Sequence, residues 1–252
     1  MKRETIIFLH GIVGNKNAFK REMESLQGRY QCIAYDLYDL EEGVIPSMNV
    51  FIEQLYQVFD QNNIELAHLC ALSFGSVIAQ AFAKKFPHLV ASMTFVGGYL
   101  CNVRSSFNWK LKQLVQEKGY VQHAIWVKKY ANWFNPNCRL IQEDSVSIFL
   151  KYALQVQPDV LEHSIRLQLE FDSKSALSGL RMPILWVMGE YDELYKSTLV
   201  ELKKVLPHVQ YEELKKAGHV AHIHEHEPFM LLFESFLTDV SASDRRWSGK
   251  VI

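Results

Sequence analysis

Ser73 lies in the run A-L-S-F-G, between an apolar stretch with strand character and an apolar stretch with helical character. A sharp turn at such a junction pushes one side chain out of the sheet and requires small neighbours, which Ala71 and Gly75 provide. A serine at the start of a helix is also a common N-cap, so this motif alone leaves both interpretations open. The nucleophile interpretation requires a base and an acid elsewhere in the chain.

Two later motifs carry the residue types that would activate a serine. Asp192 lies in G-E-Y-D-E-L, flanked by Glu190 and Glu193 as alternative acids, although an Asp before a helix is also an N-cap pattern. His219 follows a glycine in A-G-H-V-A-H, and a loop imidazole can relay a proton near neutral pH. The order serine, acid, histidine, each after a predicted strand, favours a hydrolase with Ser73 as nucleophile.

A glycine-containing loop follows the first predicted strand. His10 and Gly11 precede I-V-G-N, and such a loop can direct a backbone N–H into a cavity. An ordinary glycine turn after a strand would have the same sequence. If Ser73 is the nucleophile, we expect the oxyanion to accept hydrogen bonds from the N–H groups of Ile12 and Phe74. One such donor typically lowers a barrier by about 3 to 4 kcal/mol.

Three more histidines follow His219, at positions 222, 224 and 226. Such a cluster suits a solvated loop, and a zinc site is the chemical alternative. No cysteine lies nearby and the chain has no H-E-x-x-H motif, so the ligands of a metal would have to come from distant segments. We therefore expect neither a metal nor another cofactor.

The elements that must position these residues alternate along the chain. Short apolar runs separated by longer segments of helical period are typical of βαβ units in a parallel sheet covered on both faces. We predict an α/β fold with six mostly parallel strands, at residues 5–9, 31–35, 66–71, 92–96, 184–188 and 209–214. The predicted helices are 19–26, 50–60, 76–86, 197–206 and 228–239.

One stretch interrupts this alternation. Residues 101–180 contain several successive helical patterns, many aromatic residues and no convincing strand, which predicts a helical insertion over a core formed by residues 1–100 and 181–252. The polar, aperiodic residues 241–252 are predicted to form a flexible tail.

The motifs taken together resemble the α/β-hydrolase family, and the resemblance covers nearly the whole chain. His10-Gly11 is similar to its oxyanion motif, A-L-S-F-G to its nucleophile elbow, G-E-Y-D to its acid turn and A-G-H to its histidine loop. Three features depart from the family pattern: Ala71 and Ser76 replace glycines, and D-L-Y-D-L-E-E-G replaces its usual D-x-x-G-H-G.

The resemblance implies catalytic roles for three residues and a helical cap. Ser73, Asp192 and His219 would form the catalytic triad, and residues 101–180 would form the helical cap of the esterase-like branch. The aromatic residues of this cap would line an acyl pocket. The residues expected to contact substrate are therefore Trp109, Trp126 and Trp133 of the cap, with His10 and His222 of the core.

Hydrolysis of a carboxylic ester through an acyl-enzyme is the function that these residues favour. Thioester hydrolysis, cleavage of an ester on an acyl carrier protein, and carbon–carbon bond hydrolysis or a lyase reaction could use the same triad. A ligand-binding or signalling module on the same scaffold is an alternative from another class, because a fold does not determine function. Hydrolysis through a metal bound at the histidine cluster is a third.

Charge and composition limit the partners. The 252 residues carry a formal net charge of -1 with a pI near 6.8, so we expect neither nucleic-acid nor membrane binding. Residues 101–180 carry a formal charge of +3, which suits an acyl carrier protein or a carboxylated substrate as well as an ordinary solvated surface. The apolar run before His10 is too short for a signal peptide, which predicts a cytoplasmic protein acting on a small acyl substrate.

Overall fold

The computed structural model describes residues 3–41, 43–101, 105–133 and 145–248, with side chains described as far as residue 242. Six strands form one sheet in the order β2-β1-β3-β4-β5-β6, and every neighbouring pair is parallel. The α/β class and the six-stranded sheet predicted from the sequence are confirmed. The strands are β1 (Thr5–Leu9), β2 (Gln31–Ala34), β3 (Ala67–Leu72), β4 (Val90–Val96), β5 (Ile184–Gly189) and β6 (Gln210–Leu214).

Helices connect the strands. Those around the sheet are α1 (Lys20–Leu26), α2 (Met48–Gln61), α3 (Phe74–Lys85), α9 (Glu193–Lys196), α10 (Leu202–Val205), α11 (Ala221–His224) and α12 (His226–Ser248). Between β4 and β5 lie α4 (Ser106–Glu117), α5 (His123–Ala131), α6 (Ser145–Ala153), α7 (Pro158–Glu170) and α8 (Ser173–Leu177). Short 3-10 turns occur at Lys16–Phe19, Pro87–Leu89 and Leu199–Glu201.

Alternate residues of each central strand enter two separate apolar cores. Ile7 and Leu9 of β1 pack in the core that includes α2 and α3, whereas Ile6 and Phe8 pack in the core that includes α1 and α12. Because both faces are covered, the strands read as continuous apolar runs rather than as alternating ones. Burial on both faces therefore explains why the strands could be predicted from the sequence.

The helical segment, defined here as the described residues 105–133 and 145–180, contains α4 to α8 and no strand. Its inner side chains, such as Phe107, Trp126 and Leu161, join the core on the α2 and α3 side of the sheet. The division of the chain into a core and a cap stays a prediction.

Two local predictions differ from the structure. Residues 241–248 continue α12 instead of forming a tail, and Ser241 is buried with its hydroxyl donating to Glu4 Oε2 at 2.8 Å. The helix predicted over 197–206 begins at Leu199 as a 3-10 turn that α10 continues directly, whereas the Thr198 hydroxyl donates to the carbonyl of Tyr195 at the end of α9. Residues 249–252 lie outside the described part of the chain.

The described helices were also compared with the length and hydropathy that a membrane span requires. None of them is both long and apolar enough to cross a membrane.

Candidate active site

Ser73 occupies a strained turn between β3 and α3. Its φ of 50° and ψ of -115° lie in a region that L-residues rarely adopt, so the surrounding structure must hold this conformation. The Ser73 N–H donates to the Val96 carbonyl at 2.9 Å. Its hydroxyl is buried and has no hydrogen-bond partner among the described residues. A buried polar group without a partner is costly and is typical of a functional position.

The neighbours of Ser73 explain the two departures in the elbow sequence. Ala71 pairs with Leu9 and with Phe95 inside the sheet, where its small side chain fits a normal strand conformation. Ser76 stabilises the turn, since its hydroxyl donates to the Ser73 carbonyl at 2.6 Å. Gly75 cannot vary in the same way, because a Cβ there would lie 2.6 Å from the Leu9 carbonyl oxygen.

Asp192 and His219 meet at the carboxyl edge of the sheet. His219 Nδ1 lies 2.8 Å from Asp192 Oδ2, and both side chains are buried. The loops after β5 and β6 are joined by a backbone hydrogen bond from Tyr191 N–H to the Ala217 carbonyl. This contact fixes the two loops relative to each other, so the carboxylate can hold the imidazole in one tautomer and orientation.

Two glycines make this approach sterically feasible. A Cβ on Gly189 would lie 2.1 Å from the Gly218 carbonyl oxygen, so β5 can reach the histidine loop only with glycine at its end. Gly97 follows β4 with φ of +54°, and a Cβ there would lie 2.8 Å from His219 Cε1 and Nδ1. The His219 ring therefore occupies space that any other residue at position 97 would fill.

His10 is fully enclosed and uses both ring nitrogens. Its Nε2 accepts from the Leu37 N–H at 2.9 Å, so the proton lies on Nδ1, which donates to the Gly11 carbonyl at 2.7 Å. Burial lowers the pKa of His10 from 6.5 to about 4, and the ring is neutral at pH 7. These contacts place His10 as a support of the loop after β1.

The same contact orients the amide that was predicted as an oxyanion donor. In a trans peptide the C=O and the following N–H point in opposite directions, so the Gly11 carbonyl, held by His10, turns the Ile12 N–H away from that ring. The Ile12 carbonyl in turn accepts from the Tyr38 hydroxyl at 2.7 Å. Phe74 begins α3, where an N–H has no partner within the helix and the helix dipole is positive.

Ser73 and His219 line one cavity, which encloses about 580 Å³ including the part open to solvent. Most of its other lining residues are apolar. The sheet side contributes Gly11, Ile12, Val13, Gly14, Ala18, Leu72, Val220 and Ile223, and α6 contributes Ser145, Ile148, Phe149 and Tyr152. A cavity of this composition, with a serine hydroxyl and an imidazole in its wall, can accommodate an apolar group.

The three tryptophans predicted to contact substrate lie elsewhere. Trp109 projects into solvent with 60% of its surface exposed, because it lies on the outer side of α4. Trp126 is buried, and its Nε1–H donates to the Leu114 carbonyl at 2.7 Å. Trp133 packs edge-on against Tyr130 and under the Lys110 ammonium. None of the three lines the cavity that holds Ser73 and His219, where α6 supplies the side chains of the helical segment, and their contact with substrate stays a prediction.

His222, His224 and His226 have different hydrogen-bond partners. His222 stacks on Phe19 at 4.5 Å and contacts the Ala18 carbonyl, and burial lowers its pKa. His224 Nδ1 accepts from the Gly218 N–H, and His226 Nδ1 lies 3.0 Å from Glu22 Oε1. His10 and His222 do not line the cavity beside Ser73, and their contact with substrate stays a prediction. No arrangement of three ligands for a metal occurs among the described residues.

Sequence reasoning missed two residues that touch His219. One is Gly97, which the G-G pair after β4 could have indicated. The other is Tyr195, whose ring stacks on the imidazole with centroids 3.8 Å apart. Its position three residues after Asp192, on the same face of a helical turn, was the available signal.

Comparison with known proteins places this architecture in a family. A family model described as alpha/beta hydrolase fold matches residues 4–225. A 3-oxoadipate enol-lactonase of Acinetobacter baylyi is 18% identical, with 93% of this chain and 89% of the relative covered. A pyrrolizixenacetamide deacetylase of Xenorhabdus hominickii is 26% identical, with 67% of this chain and 64% of the relative covered.

The solved structure of a hydrolase from Oleispira antarctica superposes on this fold with a TM-score of 0.83. The two share 15% sequence identity over 94% of this chain and 92% of the other. The fold, and a family match that covers most of the sequence, lead to one conclusion: this chain belongs to the alpha/beta hydrolase fold family.

Proposed function

We propose that this protein is a serine hydrolase that cleaves carboxylic esters of apolar acyl groups through an acyl-enzyme. The observation that carries the proposal is the strained, buried Ser73, whose unpartnered hydroxyl shares a cavity with His219 while Asp192 holds His219 Nδ1. Strain at a nucleophile is retained only where the surrounding structure fixes it, and such strain clusters at active sites.

The reaction would proceed in two steps. His219 accepts the Ser73 proton as the hydroxyl attacks the acyl carbonyl, and the Ile12 and Phe74 N–H groups stabilise the oxyanion. Asp192 keeps the imidazole in the tautomer that can accept this proton. His219 then protonates the leaving alcohol, and water activated by the same imidazole cleaves the acyl-enzyme. The chemistry requires no metal or cofactor.

The cavity favours an apolar acyl chain. We propose that the helical segment acts as a cap, with Ile148, Phe149 and Tyr152 of α6 covering the acyl group above Ser73. Ester cleavage agrees with the name of the 3-oxoadipate enol-lactonase of Acinetobacter baylyi, because an enol-lactone is a cyclic ester.

Hydrolysis of p-nitrophenyl esters of increasing chain length tests the proposal. We expect the purified chain to be active and Ser73→Ala to lose at least about 10³-fold in kcat/KM. The matched control is Ser25→Ala, which removes an exposed hydroxyl on α1 and should leave activity unchanged. A thioester in the same panel compares the closest alternative reaction. Undiminished ester hydrolysis in Ser73→Ala would refute the proposed nucleophile.

A further inference from the structure

We propose that Tyr195 is a positioning residue of this site: its ring is the platform that holds the His219 imidazole and stabilises it when it becomes protonated. The inference rests on the proposed function and deepens it. It assigns a role to a residue that neither donates nor accepts the transferred proton.

The position of Tyr195 is set by the same turn that carries the acid. α9 begins directly after Asp192, so Tyr195 follows the acid by three residues and lies on the same face of that turn. The Thr198 hydroxyl donates to the Tyr195 carbonyl at 2.8 Å and accepts from the Leu100 N–H at 3.1 Å. This bridge fixes α9 to the chain that follows β4.

Two other aromatic rings pack against the ring of Tyr195. Tyr99 packs against it edge-on with centroids 5.2 Å apart, and Phe107 of α4 packs at 4.3 Å. Only 1% of the Tyr195 surface is exposed. Because these aromatic neighbours leave the ring no room to rotate away, it presents a fixed face to His219, at 3.8 Å with 30° between the ring planes.

His219 is therefore confined on several sides. Asp192 binds Nδ1, the Gly97 backbone lies against the Cε1 and Nδ1 edge, and Tyr195 covers one face of the ring. A confined imidazole keeps the geometry needed for proton transfer, and a misplacement of 1 Å can cost about 100-fold in rate.

The stacked face also favours the protonated form of His219. The π-face of a tyrosine attracts a cation placed over it, and the imidazole is a cation only after it has taken the Ser73 proton. An attraction that appears only as the charge develops lowers the barrier without tightening substrate binding. Burial raises the pKa of Tyr195 well above its ordinary value, so the phenol stays neutral.

The Tyr195 hydroxyl provides a second contact that the experiment must separate from the ring. The Ser73 hydroxyl makes no hydrogen bond of standard geometry with it, but lies close enough to offset part of the effect of burial on the Tyr195 pKa. Tyr195→Phe removes this hydroxyl and keeps the ring, whereas Tyr195→Leu removes the ring and keeps an apolar side chain.

Two readouts are compared: ester hydrolysis, and the rate at which a fluorophosphonate labels Ser73. For Tyr195→Leu we expect kcat and the labelling rate to fall about tenfold, with KM changed less than about threefold. Tyr195→Phe should stay within about threefold of the wild type in both. The control is Phe59→Leu, which removes a buried ring of α2 that stacks on Phe82 and does not line the cavity, and it should keep kcat within about threefold even if it lowers stability.

Fluorinated phenylalanines at position 195 keep the shape of the ring and weaken its negative face stepwise, so they remain informative if Tyr195→Leu fails to fold. We expect kcat to decrease with each added fluorine. A constant kcat across the series, or a folded Tyr195→Leu with the wild-type labelling rate, would overturn the inference. Equal losses in Tyr195→Phe and Tyr195→Leu would assign the effect to the hydroxyl and would also overturn it.

The failure of this inference differs from the failure of the proposed function. A wild-type chain that neither hydrolyses esters nor reacts with the fluorophosphonate overturns the proposed function, and this inference with it. Normal labelling of the wild type, together with equal labelling of folded Tyr195→Leu, overturns this inference alone.

Discussion

The carboxyl edge of the sheet and the helical segment contribute to the same cavity but are constructed differently. At the edge, Ser73, Asp192 and His219 are all buried and are held by backbone contacts that tolerate only glycine at positions 97 and 189. The helical segment contributes side chains of α6, and Ile148 among them is 38% exposed. The positions of the side chains at the sheet edge therefore depend on the backbone, whereas the opposite wall of the cavity depends on which side chains of α6 face it.

Under the proposed function, the sheet edge determines the catalytic rate and the α6 wall determines the selectivity for substrate. A group that must transfer a proton requires a position exact to fractions of an ångström, and crowded backbone supplies it. A wall that only excludes water and accommodates an acyl chain can be built from exchangeable apolar side chains. Changes at the sheet edge should therefore alter catalytic rate, and changes on α6 should alter the preferred substrate.

Gly97→Ala is the change with the largest expected effect. The added Cβ would lie 2.8 Å from the His219 ring and would require a left-handed backbone that alanine disfavours. Displacement of the base should lower kcat/KM by about 1000-fold while the sheet stays folded. The control is Gly28→Ala, where a Cβ meets nothing within 4 Å. Wild-type activity in Gly97→Ala would show that the backbone does not fix the base.

Because of His10, the free energy of unfolding should decrease at acidic pH. The folded state keeps this ring neutral down to about pH 4, whereas the unfolded chain protonates it near 6.5. The contribution of His10 to the free energy of unfolding is therefore fully present above about pH 6.5. It is lost as the pH falls towards about 4, a change on the order of 3 kcal/mol.

Urea unfolding across that pH range measures the effect. We expect His10→Asn to reduce the dependence of the unfolding free energy on pH, and the exposed His88→Asn to leave it unchanged. His222 and His224 also have lowered pKa values, but their contributions are common to all three proteins. An identical pH dependence in wild type and His10→Asn would contradict the role given to this ring.

Ile148→Ala should have the smallest effect, and on selectivity rather than rate. The shorter side chain enlarges the cavity on its α6 side, so the ratio of kcat/KM for longer over shorter acyl esters should rise about fivefold. Ile125→Ala is the matched control, because this exposed isoleucine of α5 does not line the cavity. If both variants, or neither, changed the chain-length preference, α6 would not be the selective wall.

The part of the site that depends on the backbone could be predicted from sequence. Strand ends, glycines and the order of Ser73, Asp192 and His219 are local signals, and parallel strands bring their carboxyl ends to one edge. The sheet was predictable for a related reason, since strands buried on both faces leave uninterrupted apolar runs.

The cavity lining could not be predicted in the same way. Trp109 follows the buried Phe107 by two residues, which places it on the opposite side of α4, and composition alone does not reveal which side faces the sheet. His10 and His222 have the side chains of active-site residues, but both are bound within the protein. Tyr195 was missed because its role depends on the tertiary contact with His219.

Mapping the covalent adduct formed with a fluorophosphonate tests directly whether Ser73 is the nucleophile. The reagent requires an activated serine, and digestion followed by mass spectrometry identifies the residue that carries it. We expect one adduct, on Ser73, with labelling abolished in His219→Ala. An unlabelled folded protein, or an adduct on a different serine, would contradict it.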